Sequence, residues 1–180
     1  MLVWLDTETT GLVHDREIIL EVGMVITTDD LRAVGETSVV IHHPNIAAIR
    51  ANCIPVVQQM HDRSGLWNEV AESTTTLPRG ELELLEWLES RLARDVSPMC
   101  GSSILFDRQF IAHWMPNLNG YFHYRNIDVS SVKEWVRRKY GESSVFTNTN
   151  SEHRVLADLA NSIAEMRFYD ERFFVSAAPF

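Results

Sequence analysis

The apolar run Leu2-Val3-Trp4-Leu5 ends abruptly on Asp6-Thr7-Glu8, and that junction constrains the chain more than any other stretch of its 180 residues. Such a run, followed by the polar Thr9-Thr10-Gly11, reads as a buried strand running into a turn. Side chains alternate across a strand, so Asp6 and Glu8 point to one face. Two carboxylates side by side there repel each other, and a divalent cation is the usual remedy. For a bare Asp-x-Glu pair, a capping Asp6 beside a solvated Glu8 is the simpler alternative. The turn after the strand shifts the balance toward the paired site.

The same rules organise the rest of the chain. Ile18–Thr27 and Thr37–His42 read as further strands, with Asp29-Asp30 supplying turn chemistry between them. The period then changes. Glu81–Arg94 places Leu85, Leu88 and Leu92 on one face of an amphipathic helix. Ser97–Gly101 is a short strand and Phe106–Met115 a helix. Arg125–Val129 reads as a strand, with Ser130 capping a helix to about Tyr140. After a polar loop over Gly141–Asn150, Val155, Leu159, Ile163 and Met166 form a last helical stripe. Strands first and βα alternation afterwards imply an α/β chain, a mixed sheet flanked by helices, with residues 1–180 as one domain.

Composition narrows the partners. Lys and Arg total 16 against 25 Asp and Glu, a net charge of −9 that repels long polyanions. If nucleic acid is the substrate, a very short one suits this field best. The apolar stretch Ile18–Ile26 is broken by Glu21 and falls well short of the roughly 20 residues that span a bilayer, so no membrane association is expected. The opening MLVWLDTETTGL has an acid at position 6 and no basic region, unlike a signal peptide. Cys53 and Cys100 lack metal-knuckle spacing and read as buried thiols, which fits a cytoplasmic protein.

Two further acids lie downstream. Asp107 opens a helix in CGSSILFDRQF, and Asp158 sits about one turn inside the last helix in SEHRVLADLANS. Taken alone, Asp107 is a first-turn acid complementing the helix dipole and Asp158 a solvated helix-face acid. His153, five residues before Asp158 at a loop-to-helix junction, changes the balance. A histidine placed beside acids at a helix start suits an exposed, positioned base.

The order Asp6-x-Glu8, Asp107, His153-x₄-Asp158 resembles the DEDD exonucleases of the histidine subgroup. The blocks FHYRNIDVSS and CGSSILFD bring the resemblance to the oligoribonucleases, and it runs from WLDTETTGL through SGLWNEV to EHRVLADLANSIAEMRFY, nearly the whole chain. The resemblance implies a ribonuclease H-like fold with a five-stranded mixed sheet, assembled as a homodimer. It implies 3′→5′ removal of mononucleotides from very short RNA oligonucleotides, dinucleotides included. Asp6, Glu8, Asp107 and Asp158 would hold two Mg²⁺ or Mn²⁺ ions, and His153 would take a proton from the attacking water. Leu12 would wedge against the bases and His61 would touch the base side. Ser103, Arg125, Ser130 and Ser131 would cap the terminal 5′-phosphate, and Tyr124 would reach the partner subunit's site. Four of these also have a plainer reading: interface packing for Tyr124 and His61, a helix cap for Ser130, a surface ion pair for Arg125.

The chain departs from that family in places. Val56 stands where the family usually has a tryptophan that stacks on a base; Trp67, nearby in sequence, is a candidate to replace it that no motif supports. The motif DTETTGL reads more like the proofreading branch. Two competing readings follow: a proofreading-type or tRNA-end exonuclease acting on longer strands, and a catalytically silent dinucleotide-binding subunit. All four acids and His153 are present, which weighs against the silent subunit, as the charge weighs against long strands.

Overall fold

A computed structural model describes residues 1–147 and 153–174. Five strands form one sheet: β1 (Leu2–Thr9), β2 (Ile19–Thr27), β3 (Ala33–Val40), β4 (Met99–Gly101) and β5 (Asn126–Asp128). Their order is β3-β2-β1-β4-β5, with β1 to β3 antiparallel and β4 and β5 parallel to β1. The mixed five-stranded α/β sheet expected from the sequence is present. Between β3 and β4 come α1 (Ile46–Asn52), α2 (Pro55–Ser64), α3 (Leu66–Glu72) and α4 (Leu77–Glu89). After β4 follow α5 (Leu105–Trp114) and α6 (Pro116–Asn119); α7 (Val129–Tyr140) and α8 (Val155–Phe173) follow β5.

All nine residues of β2 are buried, so helices cover both faces of the sheet. Alternation along β1 sorts its side chains. Val3 and Leu5 join Leu84 and Leu88 of α4 and Phe110 and Ile111 of α5. Trp4 faces the other way, into a cluster with Val136 of α7 and Leu159, Ile163 and Tyr169 of α8. The expected stripe on α8 is borne out, for Val155, Leu159 and Ile163 are buried and Met166 packs beside them.

Several boundaries differ from those expected. β1 runs on to Thr9, past both carboxylates, because pairing with β2 continues to a bulge between Glu8 and Thr9. β3 begins four residues earlier than Thr37 and ends at Val40. α4 starts at Leu77, where Pro78 suits a first helical turn, and ends at Glu89. The cap of α7 is Asp128 and not Ser130: its carboxylate accepts from the Ser130 amide. The helices α1 to α3 have no counterpart among the expected elements. Pro55 and Gly65 cut that stretch into pieces of seven to ten residues, too short for a visible 3.6-residue period. Part of the loop assigned to Gly141–Asn150, residues 148 to 150, lies outside the described residues.

Gly23 of β2 fixes where α8 sits. It pairs with Asp6, and a Cβ there would come within 2.5 Å of Val155 Cγ2 at the start of α8. Gly23→Ala should therefore push α8 off the sheet, costing about 1–3 kcal/mol of stability. Chemical denaturation would measure the loss, and unchanged stability would mean that α8 is free to shift.

Candidate active site

Asp6 and Glu8 lie on the α8 face of β1, where Glu8 is only 6% exposed. Thr7, between them, points the opposite way and holds Asp107 of α5. Its amide and its hydroxyl donate to Asp107 Oδ1 at 3.0 and 2.7 Å. Asp107 is thus a first-turn acid that is also buried, with 3% of its surface exposed. From the other side α8 brings in Asp158, and His153 stands just before the helix. One ligand atom each from Glu8, His153 and Asp158 lie within 4.8 Å of one another.

Electrostatics binds the four carboxylates into one cluster. Burial, then the charges of Asp107, Glu8, Asp158 and Glu21, hold the Asp6 carboxyl well above the ordinary carboxylate range. Burial, with Asp158, Glu21 and Asp107, pushes Glu8 up to about 8, against a partial pull from Arg154. Burial raises Asp107 to about 7, although the Thr7 hydrogen bonds favour its ionised form. Carboxylates so crowded cannot all ionise at neutral pH without added positive charge. Hard oxygen donors at one point are the ligand set that Mg²⁺ or Mn²⁺ prefers, so these residues fit a divalent cation.

The remaining residues singled out in the sequence are placed unevenly. Leu12, just beyond the end of β1, is 78% exposed. His61 is fully buried, which removes it from contact with a base. Its Nε2 bonds the Thr9 carbonyl at 2.9 Å, its Nδ1 faces Glu8 at 3.7 Å, and its ring meets Trp67 edge-on. The reason is that α2 and α3 pack under the end of β1, so the imidazole backs the site from inside. Trp67 is buried by the same packing and offers no stacking surface, while Val56 is exposed.

Ser103, Ser130 and Ser131 do converge, around Asp128. Its carboxylate accepts from the Ser103 amide (2.8 Å), the Ser130 amide (3.1 Å) and the Ser131 hydroxyl (2.6 Å). The Ser103 and Ser130 hydroxyls lie 3.0 Å apart. A cleft of about 420 Å³ adjoins them, lined by Asp128, Ser130, Ser131, Glu134, Trp135 and Arg138. Arg125 lines a different cleft, its guanidinium 4.9 Å from the exposed Tyr124 ring. The loop carrying both is held by Arg108, which donates to the carbonyls of His123, Tyr124 and Arg125 and to Asn126.

Sequence reasoning missed Asp128, Arg108, Glu21 and Arg154. An acid two residues before a serine at a helix start is a cap signature, and it is legible in Asp128-Val129-Ser130. Glu21 announces itself by interrupting an apolar strand. The partners of Arg108 and Arg154 lie far away in sequence, and nothing local marks them.

Residues 3–166 match the family model described as Exonuclease. An oligoribonuclease of Chromobacterium violaceum is 42% identical over 173 residues, covering 96% of this chain and 94% of that protein. One from Pseudomonas aeruginosa is 39% identical, covering 96% and 95%. Among solved structures, exonuclease I in its apo form superposes with a TM-score of 0.71 at 12% identity, and exonuclease I of Methylocaldum szegediense with 0.68 at 17%. At that identity the likeness is one of fold, and the chain spans only about 40% of the Methylocaldum enzyme's length. With its four acids gathered in one cluster, the Exonuclease model matched over residues 3–166 and oligoribonucleases 39% and 42% identical over 96% of its length, the chain belongs to the exonuclease family, among the oligoribonucleases.

Proposed function

We propose that this protein is a metal-dependent 3′→5′ exoribonuclease that degrades very short RNA oligonucleotides, dinucleotides included, to 5′-mononucleotides. The observation that carries this reading is the gathering of Asp6, Glu8, Asp107 and Asp158 with His153 at their edge, on a chain similar to oligoribonucleases over 96% of its length. The four acids hold two divalent cations, Mg²⁺ or Mn²⁺. When bound, such ions stabilise charge on the attacking and leaving oxygens of an in-line displacement.

The chain's own residues do the rest. His153 accepts the proton of a water that attacks the last phosphodiester. The bond from phosphorus to the 3′-oxygen breaks, that oxygen takes a proton from solvent, and the terminal nucleotide leaves as its 5′-monophosphate. Leu12 borders the bases. Ser103, Ser130 and Ser131 meet the 5′-phosphate of the short substrate, with Arg125 closing on it from the Tyr124 loop. In a homodimer the exposed Tyr124 reaches the partner's site. The whole chain, residues 1–180, acts as one exonuclease domain in the cytoplasm, and among the described residues no helix is long and apolar enough to cross a membrane.

Exposed Val56 offers no aromatic platform, which sharpens the test of substrate length. Purified protein with Mn²⁺ should cleave 5′-phosphorylated RNAs of two and three nucleotides faster than those of five or twenty. Preference for the longest RNA would instead assign the protein to the exonucleases of long single strands. Binding of the dinucleotide without cleavage would leave only a silent binding subunit.

A further inference from the structure

His153 has a φ of +50°, a left-handed backbone conformation uncommon for a residue with a side chain and costly unless its surroundings hold it. The next residue supplies such a constraint. Arg154 Nε and Nη2 each donate at 3.0 Å to the two oxygens of Glu21 on β2. Its Nη1 and Nη2 donate at 2.5 and 2.7 Å to the two oxygens of Glu69 on α3. One planar guanidinium thus forks two carboxylates at once, a geometry that a lysine ammonium cannot reproduce. The Glu21 carboxylate is 2% exposed and sits opposite Glu8 in the β1–β2 register, so the clamp is anchored beside the acid cluster.

α8 itself does not depend on this clamp. Val155 is seated over Gly23, and Leu159, Ile163 and Tyr169 bury the helix against the sheet. What the clamp holds is the backbone just before the helix, where His153 is. We propose that Arg154 is a positioning residue: its grip on Glu21 and Glu69 holds the left-handed turn at His153 and so aims the imidazole at Glu8 and Asp158. The proposal rests on His153 being the base. It adds that the base reaches its full rate only while the adjacent arginine is fixed on two sides.

The test compares wild type, His153→Ala, Arg154→Lys, Glu69→Gln and the double variant His153→Ala/Arg154→Lys on a 5′-phosphorylated dinucleotide. Mn²⁺ binding by calorimetry and thermal midpoints are measured for each. Small displacements of a catalytic group cost up to about 10²-fold in rate, so kcat should fall roughly 10- to 100-fold in Arg154→Lys and about three- to tenfold in Glu69→Gln. KM and Mn²⁺ affinity should stay near wild type, because α8 and Asp158 do not move. In the His153→Ala background, Arg154→Lys should cost nothing further, since no base remains to be aimed. Glu69→Gln keeps the buried Glu21–Arg154 pair, and it decides the matter if Arg154→Lys fails to fold. Wild-type kcat in every clamp variant that folds would overturn the proposal alone, as would a loss that adds fully to that of His153→Ala, or one that follows Mn²⁺ affinity. A wild type inactive on the dinucleotide, or a fully active His153→Ala, would overturn the reading beneath it as well.

Discussion

Asp158→Asn should abolish turnover while making the metal-free protein more stable. Asp158 is among the charges that push Asp6 and Glu8 up, so the native cluster stores repulsion that an amide does not feel. Removing one charge relieves it and raises the thermal midpoint measured in a chelator. The same change takes away one carboxylate from the cation site. Loss of several kcal/mol of transition-state stabilisation corresponds to a rate loss of about 10³-fold or more. A stabilising substitution that destroys activity is the signature of a site built against the fold's own preference. Activity near wild type in Asp158→Asn would remove Asp158 from the metal ligands. Destabilisation without metal would show instead that the carboxylate is satisfied by contacts in the protein.

The second large effect concerns pH. With Glu8 raised to about 8 and Asp107 to about 7, the folded chain keeps protons that the unfolded chain has already released. Below the ordinary carboxylate values of 4.5 and 3.8, both states are protonated and these groups cost nothing. As pH rises from those values toward the folded ones, the unfolded chain ionises while the buried acids hold their protons, so stability falls, and the loss is complete once the folded values are passed. The metal-free thermal midpoint should therefore decline between about pH 5 and 8. Mn²⁺ reverses this, because it binds the ionised carboxylates and competes with their protons. At a hundredfold excess over Kd, binding contributes about 2.7 kcal/mol. For a chain of this size that is roughly 5–10 °C in the midpoint. The gap between scans with Mn²⁺ and with chelator should be widest at pH 8 and narrow toward pH 5. A gap independent of pH would mean that the acids in the cluster are already ionised without metal.

Much of the fold and most of the catalytic cluster are legible in the sequence. Period-2 alternation puts Asp6 and Glu8 on one face, and the resemblance to oligoribonucleases picks out Asp107, His153 and Asp158 at sequence distances where no local pattern connects them. The 3.6-residue stripe of α8 is long enough to declare itself. The short helices α1 to α3 are not, because their burial is decided by what they cover and not by their own period. His61 shows the difference at a single residue. In the sequence it is a polar side chain in a motif, available for contact with a base. In the fold α2 lies beneath the end of β1, and the ring becomes the inner wall behind Glu8.

Most strands, the longer helices and the Asp6–Glu8 pair can be read along the chain, since they follow from local periodicity and residue chemistry. How the acids meet is set by contacts between elements, with Thr7 tying down Asp107 and Gly23 admitting α8 to the sheet; likewise Asp128 gathers the serines, and Arg154 fixes the turn before α8 on β2 and α3. Thr7 and Asp107 are 100 positions apart, Ser103 and Asp128 25, and Glu21 and Arg154 133. Such pairings are set by the packing of whole elements rather than by anything a local window of sequence contains.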